Sequence, residues 1–224
     1  MAGRMSGDLW TSLNNGFTNL MLTLYAAHKS GGTVDGYVEG DDGIFATNFA
    51  LDPSFYERLG FTIKIDEIAD PCVGSFCGLI FSDTGDIVRD PRKFVQGFGW
   101  THSFLSAGPR IMNGLLRAKA LSTCFETPNC PVVGALARRA IQVTRGWDPI
   151  FIADGYHVLP DEKKVPTFSP SVETRELFHR LYGISPDLQI KLEFLATNDD
   201  MIGFAALFPP PEDVMAFERY LEVA

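Results

Sequence analysis

The chain has 224 residues, of which 46% are hydrophobic and 21% are charged, and its formal net charge is −9. This balance excludes a disordered chain, and the length allows one sizeable core or two smaller units. The acidic charge argues against a basic nucleic-acid-binding module, although basic residues clustered between 89 and 145 leave room for a local positive groove. No apolar run is long enough to span a bilayer, and the first thirty residues do not resemble a signal peptide.

The first predicted element is a helix over residues 8–29. Its apolar residues recur at spacings of three and four, which is the signature of an amphipathic helix. These residues are Leu9, Leu13, Phe17, Leu20, Met21 and Leu24. Ser6-Gly7-Asp8 is predicted to supply the N-terminal cap, and Gly31-Gly32 is predicted to end the helix.

A hairpin follows, around the stretch GYVEGDDGIFA at residues 36–46. Strands are predicted near 34–39 and 44–47, joined by a turn of glycine and aspartate. Two carboxylates about 4 Å apart repel by up to roughly 4 kcal/mol at an effective dielectric near 20, so Asp41 and Asp42 need an explanation. A plain polar turn is one interpretation, and a hairpin tip that holds a divalent metal is the other.

Farther along, the pattern predicts a short helix over 52–59, a strand over 61–65 and a second hairpin over 76–90. Helical periods then dominate the rest of the chain. They cover residues 91–105, 110–125, 132–146, 172–182, 186–196 and 211–223. The expected fold class is α+β, with an α+β part over 1–90 and an all-helical part over 91–224. The four cysteines lack zinc-site spacing and are expected to be reduced thiols.

Two patterns in the first part carry the chemistry. The first is Ser6-Gly7-x3-Thr11-x3-Asn15, and the second is Gly40-Asp41-Asp42 after an apolar strand. By residue frequencies the first alone is expected in on the order of one chain in several hundred. Together they resemble motifs B and C in the palm of viral RNA-dependent RNA polymerases, in particular those of tombusvirus-like and nodavirus-like positive-strand RNA viruses.

The resemblance extends over residues 3–93. Lys64 sits where the family has motif D, and the stretch from Phe76-Cys77-Gly78 to Arg89-Asp90-Pro91 resembles motif E, the primer grip. The family fold implied is a partial palm, a small antiparallel sheet with the GDD hairpin packed on helices, followed by an all-helical thumb. The palm would cover residues 1–90 and the thumb residues 91–224.

The resemblance also implies the activity, which is template-directed nucleotidyl transfer to an RNA 3′ end with two metal ions, Mg²⁺ or Mn²⁺. Asp41 would be the main metal ligand of this motif, and Asp42 a weaker or indirect one. Asn15, on the same helix face as Thr11, would read the 2′ hydroxyl of the incoming nucleoside triphosphate. Ser6-Gly7 would form a loop that adjusts around template and nucleotide, or would simply cap the helix.

Two basic residues complete the predicted site. Lys64 would protonate the leaving pyrophosphate, and Arg89 would contact the triphosphate or the primer backbone. Simpler structural roles stay open for both residues, because Lys64 also fits a plain strand lysine and Arg89 a solvated charge. Asn15 could likewise be an exposed helix residue.

The family has a further catalytic aspartate in an Asp-x4–5-Asp pattern upstream of motif B. The pairs Asp66/Asp70 and Asp86/Asp90 have the wrong spacing to replace it. We therefore expect a C-terminal palm and thumb fragment, or a split subunit, that is inactive until an N-terminal fingers and palm segment completes it.

The expected partners are RNA template and primer, nucleoside triphosphates, the missing segment, and viral or host replication proteins. The expected location is the host cytoplasm, at membrane-associated replication complexes reached through regions outside this chain. The alternative hypothesis is a non-catalytic remnant that binds RNA or a partner. The net charge favours the remnant, whereas the intact GDD and Asn15 favour the enzyme.

Overall fold

A computed structural model describes residues 10–101, 104, 106–151 and 160–198, together with the backbone of 218–219. The fold is mixed α+β, which confirms the predicted class. The chain divides into two compact units, Met1–Gly78 and Leu79–Ala224. The assignment of palm and thumb subdomains to residues 1–90 and 91–224 stays a prediction.

Seven α-helices and seven short strands lie in the described residues. The helices are α1 (Thr11–Ser30), α2 (Pro53–Arg58), α3 (Pro91–Gly97), α4 (Pro109–Glu126), α5 (Val133–Val143), α6 (Val172–Tyr182) and α7 (Pro186–Thr197). The strands are β1 (Val34–Glu39), β2 (Asp42–Thr47), β3 (Ser75–Phe76), β4 (Leu79–Phe81), β5 (Ile87–Arg89), β6 (Trp100–Thr101) and β7 (Glu218–Arg219). No described helix is both long and apolar enough to cross a membrane.

The first described element of the first unit is α1, and the predicted helix is confirmed. The helix ends at Gly31, whose φ of 65° lies in the left-handed region that suits glycine. The N–H groups of Gly31 and Gly32 donate to the carbonyls of His28 and Ala27 in the last turn. At the other end Trp10 is the N-cap residue and makes no side-chain cap. The predicted cap, Ser6-Gly7-Asp8, lies outside the described residues.

The face that α1 buries is the one with small side chains. Its buried residues are Gly16, Thr23, Ala26 and Ala27. The predicted apolar stripe lies on the other side, where Leu13 and Phe17 are 63% and 62% exposed. The face with small residues packs against the hairpin because small side chains allow the two backbones to approach closely. A Cβ added to Gly16 would lie 3.5 Å from the Gly40 nitrogen.

The hairpin of β1 and β2 confirms the second predicted element. The strands pair antiparallel from Val34 opposite Thr47 to Glu39 opposite Asp42. The second strand starts two residues earlier than predicted, so the loop is only Gly40-Asp41. At the open end, the side-chain oxygen of Asn48 accepts from the Thr33 N–H at 2.7 Å.

The segment after the hairpin contains one wrong prediction. Helix α2 forms as expected, with the Asp52 carboxylate accepting from the Ser54 N–H as an N-cap. The strand predicted over 61–65 does not form, and Lys64 lies in an irregular stretch. An alternating pattern such as Phe61-Thr62-Ile63 makes a strand only when a neighbouring strand pairs with it, and in the described residues none does.

The second unit is built around α4 and α5. Its fully buried side chains include Met112, Leu116 and Leu121 on α4, Val132 and Val133 at the start of α5, and Phe178 on α6. The second predicted hairpin is confirmed as β4 and β5. Helices α4, α5, α6 and α7 confirm the predicted helices with small shifts at their ends.

Two predictions about the second unit are wrong. The helix predicted over 91–105 ends at Gly97, and Trp100–Thr101 forms strand β6 instead. Of the helix predicted over 211–223 the structure describes only Glu218–Arg219, which form strand β7 and pair antiparallel with β6; the rest of that prediction lies outside the described residues. The second part is therefore not all-helical. Neither strand has an alternating pattern of its own, because each is only two residues long.

Two of the arginines that suggested a positive groove serve the interior of the second unit. Arg117 is 3% exposed and donates to the carbonyls of Ile141 and Thr144 at the end of α5, at 2.8 and 3.0 Å. A cation at a helix C-terminus is favourable because the carbonyls there lack partners. Arg138 donates to the Pro166 carbonyl at 2.6 Å and lies over the Phe168 ring. Their charge is used in packing rather than presented on a surface.

Candidate functional site

The Gly40-Asp41 loop makes the tightest kind of hairpin turn. Gly40 has a φ of 58°, whereas Asp41 does not have a positive φ. A positive φ at the first central residue only is the pattern of a type II′ turn, which places glycine at that position. The two aspartates are therefore not equivalent: Asp41 is at the tip, and Asp42 is the first residue of β2, opposite Glu39.

The tip is acidic and exposed. Glu39, Asp41 and Asp42 all face solvent. Within the described part of the chain, no lysine or arginine forms an ion pair with any of the three. Residues 1–78 contain ten Asp and Glu against four Lys and Arg, so most of the net negative charge is in the first unit. An uncompensated acidic tip of this kind attracts cations.

Helix α1 braces this turn through three residues on one face. The Asn19 side-chain N–H₂ donates to the main-chain carbonyls of Asp41 and Asp42, at 3.1 and 3.2 Å. The Ser12 hydroxyl donates to the Glu39 carboxylate at 2.7 Å. Gly16 lies between them, against the Gly40 nitrogen. Residues 12, 16 and 19 share a helix face because they are four and three apart.

The predicted nucleotide-binding residues lie partly on the same helix. Asn15 is half-buried on α1, one turn before Asn19, so it is next to the residues that brace the turn. Thr11 is the first residue of the helix and is also half-buried. Ser6 and Gly7 lie outside the described residues. Asn15 therefore shares α1 with the residues that contact the GDD hairpin.

The two predicted basic residues have acidic partners of their own. The Lys64 ammonium pairs with the Asp66 carboxylate at 2.7 Å, and both side chains are largely exposed. Arg89 belongs to the second unit, where its guanidinium donates to Glu126 at 2.6 Å and lies over the Phe94 ring. An exposed ion pair such as the first contributes about 0–1 kcal/mol and exchanges easily. The partly buried Arg89 pair is harder to separate.

Three residues that contact the turn were not predicted from the sequence. They are Ser12, Asn19 and Cys77. The spacing of four and three through Gly16 places the first two on one face of α1, but only the structure shows that this face meets the hairpin. Cys77 had none, because its place depends on a left-handed backbone, with φ of 53°.

Cys77 is exposed, and its thiol donates to the Asp42 carboxylate. Loss of water around the sulfur raises the pKa of the Cys77 thiol, and the charges of Asp42 and Glu39 raise it further. The other three thiols differ in exposure: Cys72 is half-buried, and Cys124 and Cys130 are buried. All four are free, as predicted.

We expect Asp42→Asn to speed alkylation of Cys77 by iodoacetamide several-fold at pH 8. The thiolate is the reactive form, and a raised pKa keeps its fraction small until the pH rises through that pKa. Removing the Asp42 charge lowers the pKa and shifts the rise in rate to lower pH. Mass spectrometry of the Cys77 peptide measures the rate. Asp35→Asn, at the far end of the same hairpin, is the control, and an unchanged rate in Asp42→Asn would contradict the contact.

The donors at the tip do not by themselves form a complete metal site. In the described residues no group of three or more His, Cys, Asp and Glu side chains is arranged to hold a metal ion. Comparison with family models, with curated proteins and with solved structures found no match to this chain.

Proposed function

We propose that this chain is the palm and thumb part of an RNA-directed RNA polymerase, which adds nucleotides from nucleoside triphosphates to an RNA 3′ end. The observation that carries the proposal is the packing of α1 against the Gly40-Asp41 turn. The two sequence patterns are separated along the chain, and α1 puts Asn15 one helical turn from the residue that binds the turn.

The donor set of the turn fits Mg²⁺ or Mn²⁺. Both ions prefer carboxylate oxygens, and the side chains of Asp41 and Asp42 are exposed. These residues would hold the ion, and an upstream segment would supply a third carboxylate. When bound, two such ions activate the attacking 3′ hydroxyl and stabilise the leaving pyrophosphate. Gly40 leaves the backbone at the tip open to a close approach by the primer end.

The remaining residues would bind and orient the substrates. Asn15 would hydrogen-bond the ribose 2′ hydroxyl, with Thr11 and the Ser6-Gly7 loop beside the template and nucleotide. Lys64 can leave its exposed pair with Asp66 and give a proton to the departing pyrophosphate. Arg89 would have to exchange Glu126 for a phosphate oxygen before it could bind the triphosphate or primer.

The test is RNA synthesis by the chain completed with an upstream segment that carries the Asp-x4–5-Asp strand. We expect template-dependent, Mg²⁺-dependent incorporation of ribonucleotides. Asn15→Ala should lower the preference for ribonucleotides over deoxyribonucleotides about tenfold, because one hydrogen bond of about 1–1.5 kcal/mol is lost. The measurement is the ratio of kcat/KM for the two nucleotides.

The matched control is Asn14→Ala, because Asn14 is exposed on another side of the same helix. It should leave the ratio unchanged. An unchanged ratio in Asn15→Ala would remove Asn15 from the site but leave the polymerase proposal standing. Failure of the completed chain to synthesise RNA with either Mg²⁺ or Mn²⁺ would contradict the proposal itself.

A non-catalytic role is the second candidate, and one observation favours it. The apolar side of α1 is exposed along its length. The exposed residues are Trp10, Leu13, Phe17, Met21 and Leu24. A contiguous apolar stripe of this kind is typical of a surface that binds another polypeptide. A remnant that binds RNA or a partner would keep this association in the completed chain and show no nucleotide incorporation.

A further inference from the structure

We infer that Asn19 is a positioning residue, which holds the Asp41-Asp42 turn in the shape that binds metal. This inference rests on the proposed function, because it assigns a task to a residue that supports the proposed metal ligands. Asn19 itself belongs to neither sequence pattern. It acts through the backbone of the turn rather than through the carboxylates.

The geometry of the contact supports this role. A side-chain amide has two N–H donors, and those of Asn19 lie within hydrogen-bonding distance of two successive carbonyls, those of Asp41 and Asp42. Two contacts to adjacent carbonyls fix the orientation of both peptide groups. The direction of each Cα–Cβ bond follows from the backbone, so Asn19 also fixes the positions of the two Cβ atoms from which the carboxylates extend.

The turn needs such support. It joins a sheet of only two strands, and an isolated two-stranded hairpin is marginally stable. Its adjacent carboxylates also repel each other, which favours a splayed turn. Each neutral hydrogen bond from Asn19 contributes about 1 kcal/mol, enough in pairs to select one turn conformation.

Two neighbours make the brace specific to this position on the helix. Ser12 holds Glu39, the last residue of β1, so α1 grips the hairpin on both sides of the loop. Gly43 follows the aspartates, and a Cβ there would lie 2.6 Å from the Phe45 ring and 3.2 Å from the Asn19 amide nitrogen. A glycine at this position therefore leaves room for both the Phe45 ring and the Asn19 side chain.

The test uses Mn²⁺ as the probe and the 224-residue chain, so it needs no polymerase activity. Bound Mn²⁺ broadens the NMR signals of nearby amides, and the broadening of the Gly40 and Gly43 amides reports binding at the turn. Asn19→Ala should weaken this binding about tenfold, which is the lower end of the loss in metal affinity seen when a residue that orients metal ligands is removed. The Asn14→Ala control should bind like the wild type, and the thermal midpoint of each variant shows whether it is folded.

Asn19→Asp gives the sharper test, because it keeps the size of the side chain and removes its donors. Its added negative charge alone would tighten Mn²⁺ binding, whereas loss of the brace should weaken it. Weaker binding by folded Asn19→Asp and Asn19→Ala supports the inference. Equal or tighter binding by Asn19→Asp overturns it and leaves the metal site standing. Absence of Mn²⁺ broadening at the turn in the wild type overturns the proposed metal site, and the role of Asn19 with it.

Discussion

Asp41→Ala is expected to reduce Mg²⁺-dependent RNA synthesis by the completed polymerase by on the order of a thousandfold. Asp41 is the residue at the tip of the turn, and it is exposed there. A metal ion in such a site stabilises transition-state charge by several kcal/mol, and about 4 kcal/mol corresponds to a thousandfold in rate. The measurement is the rate of nucleotide incorporation on an RNA template at saturating Mg²⁺.

Asp42→Ala should cost less than Asp41→Ala, since Asp42 lies within β2 and its carboxylate already accepts from the Cys77 thiol. Asp35→Ala is the matched control. Asp35 is an exposed aspartate on β1, opposite Ala46 at the other end of the hairpin. The Asp35→Ala substitution removes one negative charge from the same sheet and should leave the activity unchanged. Near-normal synthesis by Asp41→Ala would remove that residue from the metal site.

Much of the fold was predictable because local chemistry marks where elements begin and end. Asp52, Asp90, Ser171 and Ser185 all cap helices in the structure, and each of these types is a good N-cap. Three of the four precede a proline at the first helical position. The glycine and aspartate turns marked both hairpins in the same way.

What could not be predicted depends on contacts between distant residues. Periodicity showed that α1 has two faces, but not that the hairpin would choose the face with Gly16, Ala26 and Ala27. The strand over 61–65 needed a partner that the fold does not provide. Strands β6 and β7 are more than one hundred residues apart, and each exists only because the other pairs with it.

In the candidate site, too, some residues were predicted from the sequence and others depend on contacts between distant residues. The aspartates of the turn and Asn15 are visible in the sequence because their residue types and spacing suit the chemistry. Ser12 and Asn19 are not, since their importance comes from which face of α1 meets the hairpin. Residues that orient a functional group are chosen by geometry, so the structure is needed to find them.

The largest stability effect is expected for Glu193→Ala, at about 3 kcal/mol. Glu193, on α7, forms a bidentate ion pair with Arg175 of α6, and both hydrogen bonds are 2.9 Å long. The two side chains are only 12% and 17% exposed. Removing one partner leaves the other charge poorly solvated, and breaking a fully buried pair in this way costs about 3–5 kcal/mol. Partial exposure puts the expected value at the lower end.

Glu193 also binds the backbone of Val132, which is the one non-glycine residue with a positive φ among the described residues of the second unit. Val132 has φ of 66° and ψ of −56°, and the Val133 N–H donates to the Pro131 carbonyl at 2.7 Å, which together make a strained γ-turn. Such a conformation is rare for a β-branched residue and costs about 1–3 kcal/mol. The Val132 N–H donates to the Glu193 carboxylate at 3.1 Å, and the Val132 side chain is fully buried. The carboxylate therefore stabilises both Arg175 and the strained start of α5.

Urea unfolding followed by tryptophan fluorescence measures the effect, since Trp100 and Trp147 both belong to the second unit. Glu193→Gln should fall between the wild type and Glu193→Ala, because an amide oxygen can still accept from the Val132 N–H but carries no charge for Arg175. Glu176→Ala is the control: Glu176 is exposed on α6, and among the described residues its ion-pair partner is His179, at 3.9 Å. It should change stability by less than about 0.5 kcal/mol. If Glu193→Ala proves as mild as Glu176→Ala, the carboxylate does not hold the α5–α7 junction, and burial of Val132 alone must keep its backbone in place.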